Sequence, residues 1–511
     1  MTTTETYTAD AARDDALEEL AGSRFDLLVV GGGIVGCAVA YLGAHAGLRV
    51  ALVERGDLAG ATSSASSKLV HGGLRYLQMG DVGLVREAHA ERHALANVVA
   101  PHLVRPRAFL VPVYRGSTIR ATKLRAGLVV YGALGRFADG GGSLLRPPAA
   151  RALVPPLRLD GLRSAGRYVD HETNDARMTI AVARAAARAG ARIATRVEVR
   201  ALRLAGGRVA GADCADVLGG ANLEITATCV VNATGPWVDD LRRMADPAAP
   251  RSLRFAKGAH LVVRLDEPWE AALTTPLEGG RVQFANPWEG ALLVGTTDAP
   301  YEGDPRDLQV TAADIEQIVR ESRASIEPGV VEPDRILSSF AGVRVLPQGD
   351  AETPSARRET VFERGESGML SIAGGKFTTF RRIALDALER LRGDLDLHAL
   401  DRTPVPLPGA ADPGAVAGQL LREHPALSAK SADHLARFHG SEAFDVLAPA
   451  RDDPTLLEPL AAGAPEVAAQ VLWAREQEWA LTADDVIARR TTLGSLGRGD
   501  EARTRVEELM R

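Results

Sequence analysis

Residues 25–54, FDLLVVGGGIVGCAVAYLGAHAGLRVALVE, carry the first chemistry in the chain. Gly31, Gly33 and Gly36 stand at G-x-G-x-x-G spacing, and an acid, Glu54, ends the next apolar run. A bound pyrophosphate would explain each of these residues. Gly31 permits the tight turn, Gly33 leaves no Cβ between backbone and pyrophosphate, and Gly36 lets helix and strand approach closely. The N–H groups that open the helix, at its positive dipole end, would face the phosphates. Glu54 is placed to accept a hydrogen bond from a ribose 2′-hydroxyl, and an acid there disfavours a 2′-phosphate. Strand, helix, second strand and terminal acid in this order read as a dinucleotide site, against a glycine-rich turn that binds nothing.

Three more segments have the residue types for a site. Residues 60–77, GATSSASSKLVHGGLRYL, offer the hydroxyls of Thr62, Ser63, Ser64, Ser66 and Ser67 to phosphate oxygens. Gly72 and Gly73 would let a flat ring approach the backbone. A flexible linker is the plain alternative. A linker seldom ends in Lys68, His71, Arg75 and Tyr76 and then runs into apolar residues. Residues 230–237, VVNATGPW, form an apolar strand entering a tight turn, which resembles the Ala-Thr-Gly turn of flavoproteins. In residues 372–382, IAGGKFTTFRR, Gly374 and Gly375 would set backbone N–H groups at a helix start. A positive helix end there stabilises the charge that a flavin gathers at N1 and C2=O on reduction. An ordinary capped helix is the alternative.

Polar candidates cluster near these turns. Arg75 and Tyr76 follow the first Gly-Gly, His260 sits in AKGAHLVV, Arg344 in FAGVRVL, Arg358 after TPSAR, and Lys376 follows the second Gly-Gly. Several cations converging on one pocket imply a phosphate or carboxylate substrate. Taken singly, a strand histidine is usually packed and a lone arginine solvated. Only five of the 60 basic residues are lysine: Lys68, Lys123, Lys257, Lys376 and Lys430. A lysine retained where arginine serves elsewhere suggests a need for a compact ammonium.

The elements that must position these residues follow from periodicity. A βαβ unit spans about 25–54 and a helix runs from Val82 to about Val99, ahead of Pro101, Pro106 and Pro112. Residues 139–148 read as a loop, and a helix near 173–190 has Thr173 and Asn174 as candidate N-caps. RIATRVEV reads as a strand before a hairpin at Gly206 and Gly207, and residues 250–345 alternate strand-like runs with turns. Residues 368–395 run strand, Gly-Gly turn, helix, and after PVPLPGAADPG the chain is helical. Because the cofactor-like turns lie far apart, a split nucleotide domain is expected. Its pieces are 25–84, 165–245 and 335–398, with a substrate domain from 85–164 and 246–334, a helical domain over 404–511 and an extension over 1–24.

Residues 115–137, RGSTIRATKLRAGLVVYGALGRF, hold no acid. On a helix, Leu124, Leu128, Tyr131 and Leu134 form one apolar stripe, with Arg115, Arg120, Lys123, Arg125 and Arg136 around it. Such a helix suits an anionic bilayer surface. The alternative is a helix packed on its own domain with its arginines in water, and Gly127 and Gly132 weaken it.

The 511 residues suffice for roughly two to four domains. A net charge of −6 argues against a general nucleic-acid binder. Cys37, Cys214 and Cys229 show no metal-ligand spacing, so reduced thiols in the cytoplasm and no metal are expected. Residues 1–24 lack the basic and apolar regions of a leader, and no apolar run reaches transmembrane length.

Together these segments resemble the FAD-dependent, quinone-linked glycerol-3-phosphate dehydrogenases. The matching stretches are VVGGGIVG, ATSSASSKLVHGGLRYL, VNATGPWV, KGAHLVV, LLVGTTDAPYEGDP, AGVRVL and GGKFTTFR, with RFHGSE and WALTADDVIARRTTLG in the tail. The resemblance implies an α/β fold. It comprises a Rossmann-like FAD-binding domain of the glutathione-reductase/D-amino-acid-oxidase type, an interleaved mixed-sheet substrate domain and a helical C-terminal domain. It implies noncovalent FAD, oxidation of sn-glycerol 3-phosphate at C2 to dihydroxyacetone phosphate, and a membrane quinone as acceptor. Arg344 and Arg358 would hold phosphate, with Lys376, Arg75 and Tyr76 lining the pocket and His260 as base. Arg357 could take the place of Arg358, because SARRET is shorter than the family pattern. Cofactor contacts are expected from Gly31, Gly33, Gly36, Glu54, Thr62, Ser63, Ser64, Ser67, Lys68, Leu69, His71 and Gly72. Val197, Ala233, Thr234, Gly235, Trp237, Gly374, Gly375, Lys376, Phe377 and Thr378 complete that set. Phe380 and Val345 depart from the usual tyrosine and proline. The resemblance favours membrane contact through 115–137, peripheral on the cytoplasmic face, and allows a homodimer. Competing readings are an oxygen-using glycerol-3-phosphate oxidase, a flavin oxidoreductase of D-amino acids or 2-hydroxy acids, and a flavin- or nucleotide-binding module without turnover.

Overall fold

The computed structural model describes residues 9–78, 80–117, 119–348 and 360–511, and the side chains of these except 9–12, Arg75 and Gln78. The expected first strand forms as Arg24–Val30, and Leu27, Leu28, Val29 and Val30 are all buried. A run buried on both faces belongs inside a parallel sheet. Val29 sits in register with Leu52 on one side and Val231 on the other. The sheet runs Thr360–Arg364, Leu370–Gly374, Asn222–Asn232, Arg24–Val30, Val50–Glu54, Arg192–Thr195, with only the first of these antiparallel to its neighbour. Helices Ile34–His45, Asp175–Arg188 and Phe380–Leu391 supply apolar residues to the core on one face. An antiparallel meander over Val197–Ala205, Arg208–Asp216 and Asn222–Asn232 helps cover the other. The expected RIATRVEV strand is broken in two at Arg196, where φ is +58°. The hairpin turn falls at Gly206 and Gly207 as read from the sequence.

Among the described residues the second sheet has ten strands, with Leu253–Arg264, Ala291–Gly295, Val282–Trp288, Ala271–Pro276, Arg105–Tyr114 and Leu162–Glu172 adjacent in that order. Ile336–Pro347 lies antiparallel on the other side of Leu253–Arg264, placing His260 opposite Phe340 and Arg344 opposite Ala256. Sheet membership departs from the expected division at two points. The expected nucleotide unit takes in residues 165–245 and 335–398, whereas Leu162–Glu172 and Ile336–Pro347 both pair into the second sheet. Strand partners decide this, and an apolar pattern reads alike in either sheet.

Helix Asp175–Arg188 starts where expected, because the Asn174 side chain accepts from the Arg177 N–H. Two helices were missed. Ala9–Gly22 lays Leu17 and Leu20 on the first sheet, and Arg13 forks onto Asp216 at 2.6 and 3.1 Å. Ala312–Ser322 opens with a Thr311/Asp314 capping box, a signal present in the sequence TAAD.

After Pro413 the chain is largely helical and has its own apolar core. Buried ion pairs fasten it to the first sheet's layer: Arg177 to Glu478 at 2.5 Å, Arg184 to Glu442, and Arg490 to Asp57.

The glycine turn is the tightest contact in this layer. A Cβ on Gly36 would lie 1.9 Å from the Gly31 carbonyl oxygen, so helix and strand meet through bare backbone. Gly36→Ala should therefore cost about 1–3 kcal/mol. Chemical denaturation would show a midpoint below wild type, and an unchanged midpoint would remove the close approach as a constraint.

Candidate functional site

A cavity of about 1540 Å³ opens where the parallel strands Arg24–Val30, Asn222–Asn232 and Leu370–Gly374 end, and it continues along the second sheet. Ordinary small-molecule pockets hold roughly 300–1,000 Å³, so this one suits a dinucleotide with a substrate beside it. Ligands of open α/β sheets bind at the carboxyl ends of the strands.

The glycine turn forms one wall. Gly31 takes φ +113°, and a Cβ on it would meet the Ala233 carbonyl oxygen at 2.6 Å. A Cβ on Gly33 would come within 3.1 Å of Ser63 Oγ, inside the space the cavity lining leaves open. The Ile34 N–H at the helix start donates to Ser63 Oγ at 3.0 Å. Glu54 accepts from the Gly32 N–H at 2.7 Å and the Gly56 N–H at 2.8 Å, while burial pushes its carboxyl up. It holds the turn's shape as well as lining the cavity.

Of the expected cofactor residues, Thr62, Ser63, Ser64, Ser67, Leu69, His71, Val197, Ala233, Thr234, Gly235 and Trp237 line the same space. Gly374, Gly375, Lys376, Phe377 and Thr378 line it from the last strand's end. There a tight turn over Phe377–Thr379 leads into the helix, which begins at Phe380. Gly36 and Gly72 stand behind the wall. Gly36 packs against Gly31, and the Gly72 N–H donates to Asp170 at 3.0 Å. Phe380 is buried in the core.

Lys68, also expected at the cofactor, is not among the residues that line the cavity. Its ammonium is buried and turned away from the cavity, onto Asp175 at 2.5 Å and the Ser64 carbonyl at 2.6 Å. Asp175 also accepts from the Ser66 N–H and hydroxyl. A buried ammonium must be paired, and the nearest carboxylate lies under the serine loop. Lys68 therefore shapes that loop from below.

His260 faces the cavity with Nε2 2.9 Å from Ser67 Oγ and its ring stacked on Phe340. Nδ1 has no hydrogen-bond partner among the described residues. Burial first, then the charges of Arg344 and Lys68, pushes its pKa down to about 3, so it is neutral in ordinary buffers. Lys376 lies 3.6 Å over the Tyr76 ring, and both line the cavity. Arg344 lines it too, paired with Asp298 at 2.8 Å. Arg75 belongs to the short helix Leu74–Gln78, and its side chain lies outside the description. Arg357 and Arg358 lie outside the described residues.

Sequence reasoning missed Asp298, Thr296 and Arg281, which line the cavity. Asp298 stood in a matching segment, but nothing in an isolated acid after two threonines shows that it will meet Arg344. Among the described residues no group of histidine, cysteine and acidic side chains could hold a metal ion.

Residues 115–137 contain the helix Ala121–Leu134, whose apolar stripe packs on its own sheet. Leu124, Leu128 and Tyr131 face inward, onto Phe109, Val111 and Tyr168. A Cβ on Gly166 would meet Leu124 at 2.7 Å, so the helix lies close on the sheet. The outer face shows Lys123 and Arg125 with Val129 and Val130, and Arg136 and Phe137 follow the helix.

The residues present fit a flavin dinucleotide: bare glycine backbone at a helix start, an acid at the second strand's end, and a cavity of matching size. Residues 26–381 match a family described as FAD dependent oxidoreductase, and residues 403–511 match one described as C-terminal domain of alpha-glycerophosphate oxidase. The chain is 36% identical over 489 residues to glycerol-3-phosphate dehydrogenase 2 of Mycobacterium tuberculosis, covering 94% of this chain and 83% of that protein. It is 35% identical to the mitochondrial glycerol-3-phosphate dehydrogenase of Mesocricetus auratus, covering 96% of this chain and 70% of that one. The crystal structure of the Bacillus halodurans glycerol-3-phosphate dehydrogenase complexed with FAD aligns with a TM-score of 0.80 at 28% identity, over 99% of this chain and 94% of that one.

Burial of neutral His260 has a consequence for stability. Its folded pKa lies below its unfolded value of about 6.5, so between the two the unfolded chain binds more protons. Stability is full above about pH 6.5 and falls as pH drops toward 3. His260→Gln should flatten this acid-side loss in unfolding midpoints measured from pH 5 to 7.5. A slope equal to wild type would show that His260 is not buried neutral.

Proposed function

The chain belongs to the family of FAD-dependent glycerol-3-phosphate dehydrogenases, and from that premise we propose that it oxidises glycerol 3-phosphate at C2 to dihydroxyacetone phosphate and passes the electrons to a membrane quinone. The observation that carries the reading is convergence. The glycine turns, His260, Arg344 and Lys376 come from segments remote in sequence and border one cavity.

FAD, when bound, supplies the two-electron acceptor for the hydride leaving C2. The chain's own residues do the rest. Gly31 and Gly33, with the helix start at Ile34, would hold the pyrophosphate, and Glu54 would take the ribose. Gly374 to Thr378 lie where the redox-active ring would rest. Arg344 and Lys376, with Arg358 from outside the described residues, bind the substrate phosphate. Asp298 fixes the direction of the Arg344 guanidinium. Neutral His260, held at Nε2 by Ser67, borders the substrate space and would accept the proton of the C2 hydroxyl. A dianion suits two or three cations, whereas one arginine suffices for the carboxylate of an amino or hydroxy acid.

Two features support a lipophilic acceptor. Phe109, Val111, Ile119, Leu124 and Phe284 form an apolar stretch of the same cavity, beneath helix Ala121–Leu134. The outer face of that helix joins exposed Val129 and Val130 to Lys123 and Arg125, a combination suited to an anionic lipid surface. No helix among the described residues is long and apolar enough to cross a membrane; the proposed contact is peripheral, through this helix face.

Anaerobic glycerol 3-phosphate should bleach the flavin absorbance of the purified protein. A spectrum that does not change would sink the assignment, and oxygen uptake equal to dye-linked turnover would move the acceptor to oxygen. Lys376→Ala should raise KM about tenfold or more while leaving flavin bound. A wild-type KM would take Lys376 out of the substrate site. Val130→Asp should weaken flotation with anionic vesicles, and undiminished flotation would place membrane contact elsewhere.

A further inference from the structure

Every cofactor residue named so far lies at or before Thr378, yet the cavity wall does not end there. Ala488, Arg489, Gly494 and Ser495, from the C-terminal helical region, line it as well. Ala488 and Arg489 belong to a π-type turn, Val486–Arg490, and Gly494 and Ser495 follow it, in a segment that touches the Ile336–Pro347 strand of the second sheet on one side and the loop after Val50–Glu54 on the other. On one side a Cβ on Gly497 would meet the Leu337 carbonyl oxygen at 2.4 Å, and Ser338 Oγ donates to the Ser495 carbonyl at 2.5 Å. On the other side both arginines of the turn reach Asp57, three residues beyond Glu54.

The pairing at Asp57 is lopsided. Arg490 alone closes a fork on the carboxylate, one N–H on each oxygen, with 2.7 Å to Oδ1. Arg490 and Asp57 are both buried. One fork is enough to compensate a buried acid. Arg489 adds a second cation through Nε, reaches Asp485 at 3.1 Å and is one of the residues that line the cavity. The Ala59 N–H, just past Asp57, donates to the Gly32 carbonyl at 3.0 Å, so the gripped loop is tied back to the glycine turn. Arg55 lies 3.9 Å over the Trp237 ring at the same end of the cavity.

We propose that Val486–Ser495 is part of the cofactor site, with the Arg489 guanidinium packing on the adenosine end of FAD beside Glu54. A guanidinium both stacks on a flat heteroaromatic ring and donates to ribose or phosphate oxygens. The C-terminal region then acts as a wall of the dinucleotide site, and its docking and FAD retention are coupled. The inference rests on this cavity being the FAD site.

The test uses the full chain stripped of flavin and titrated with FAD by fluorescence. Arg489→Gln leaves the Arg490 fork on Asp57 intact and should raise the Kd at least about tenfold, the size of one lost charge-assisted contact. In wild type, FAD should also slow amide hydrogen exchange across 486–495, a reading that needs no variant. A variant Kd within about twofold of wild type, or exchange in 486–495 indifferent to FAD, overturns the inference. Wild type that takes up no FAD would instead sink the reading of the cavity itself.

Discussion

The rest of the structure depends on the close approach of the Ile34–His45 helix to the Arg24–Val30 strand. Two glycines, Gly31 and Gly36, make it possible, because any Cβ on Gly36 would overlap the Gly31 carbonyl. That approach sets the helix start against the strand ends, at the wall of the cavity. It also brings the Asn222–Asn232 strand near enough for Ala233 to pack on Gly31. The cavity is the space left in front of this contact.

Charge around the cavity follows one rule. A buried ion needs a partner, and the pairs chosen are short and specific. Lys68 with Asp175 stiffens the serine loop, Arg344 with Asp298 aims a guanidinium, and Arg490 with Asp57 docks the C-terminal region. Each pair joins residues far apart in sequence, so electrostatics here fixes tertiary arrangement more than it adds stability. His260 shows the opposite case. It is buried without a carboxylate among the causes of its shift, and it stays neutral.

Much of the site was legible because cofactor chemistry writes itself into short local patterns. The glycine spacing, the Ala-Thr-Gly turn and the Gly-Gly-Lys turn each need only their own few residues, and all three border the cavity. Less was legible where a side chain's direction depends on a remote partner. Lys68 sat among cofactor-like serines, yet Asp175, 107 residues on, draws it away. The Leu124, Leu128 and Tyr131 stripe was correctly seen as one face, but periodicity does not say whether that face meets a bilayer or its own sheet. The helix at Ala312–Ser322 was missed although its capping box was visible, because the surrounding strand pattern set the expectation.

The sequence by itself determined the parallel strand and glycine turn, the capped helix at Asp175, the helical tail and the residue types able to hold a dinucleotide and an anion. These depend on interactions within a few residues, where periodicity, caps and bare glycine backbone act directly. Only the tertiary structure decided which sheet Leu162–Glu172 and Ile336–Pro347 join, which cations face the cavity, and that Arg489 stands in its wall. Strand partners and ion pairs form between segments separated by tens to hundreds of residues. Burial then selects among them by desolvation, a quantity no local pattern encodes.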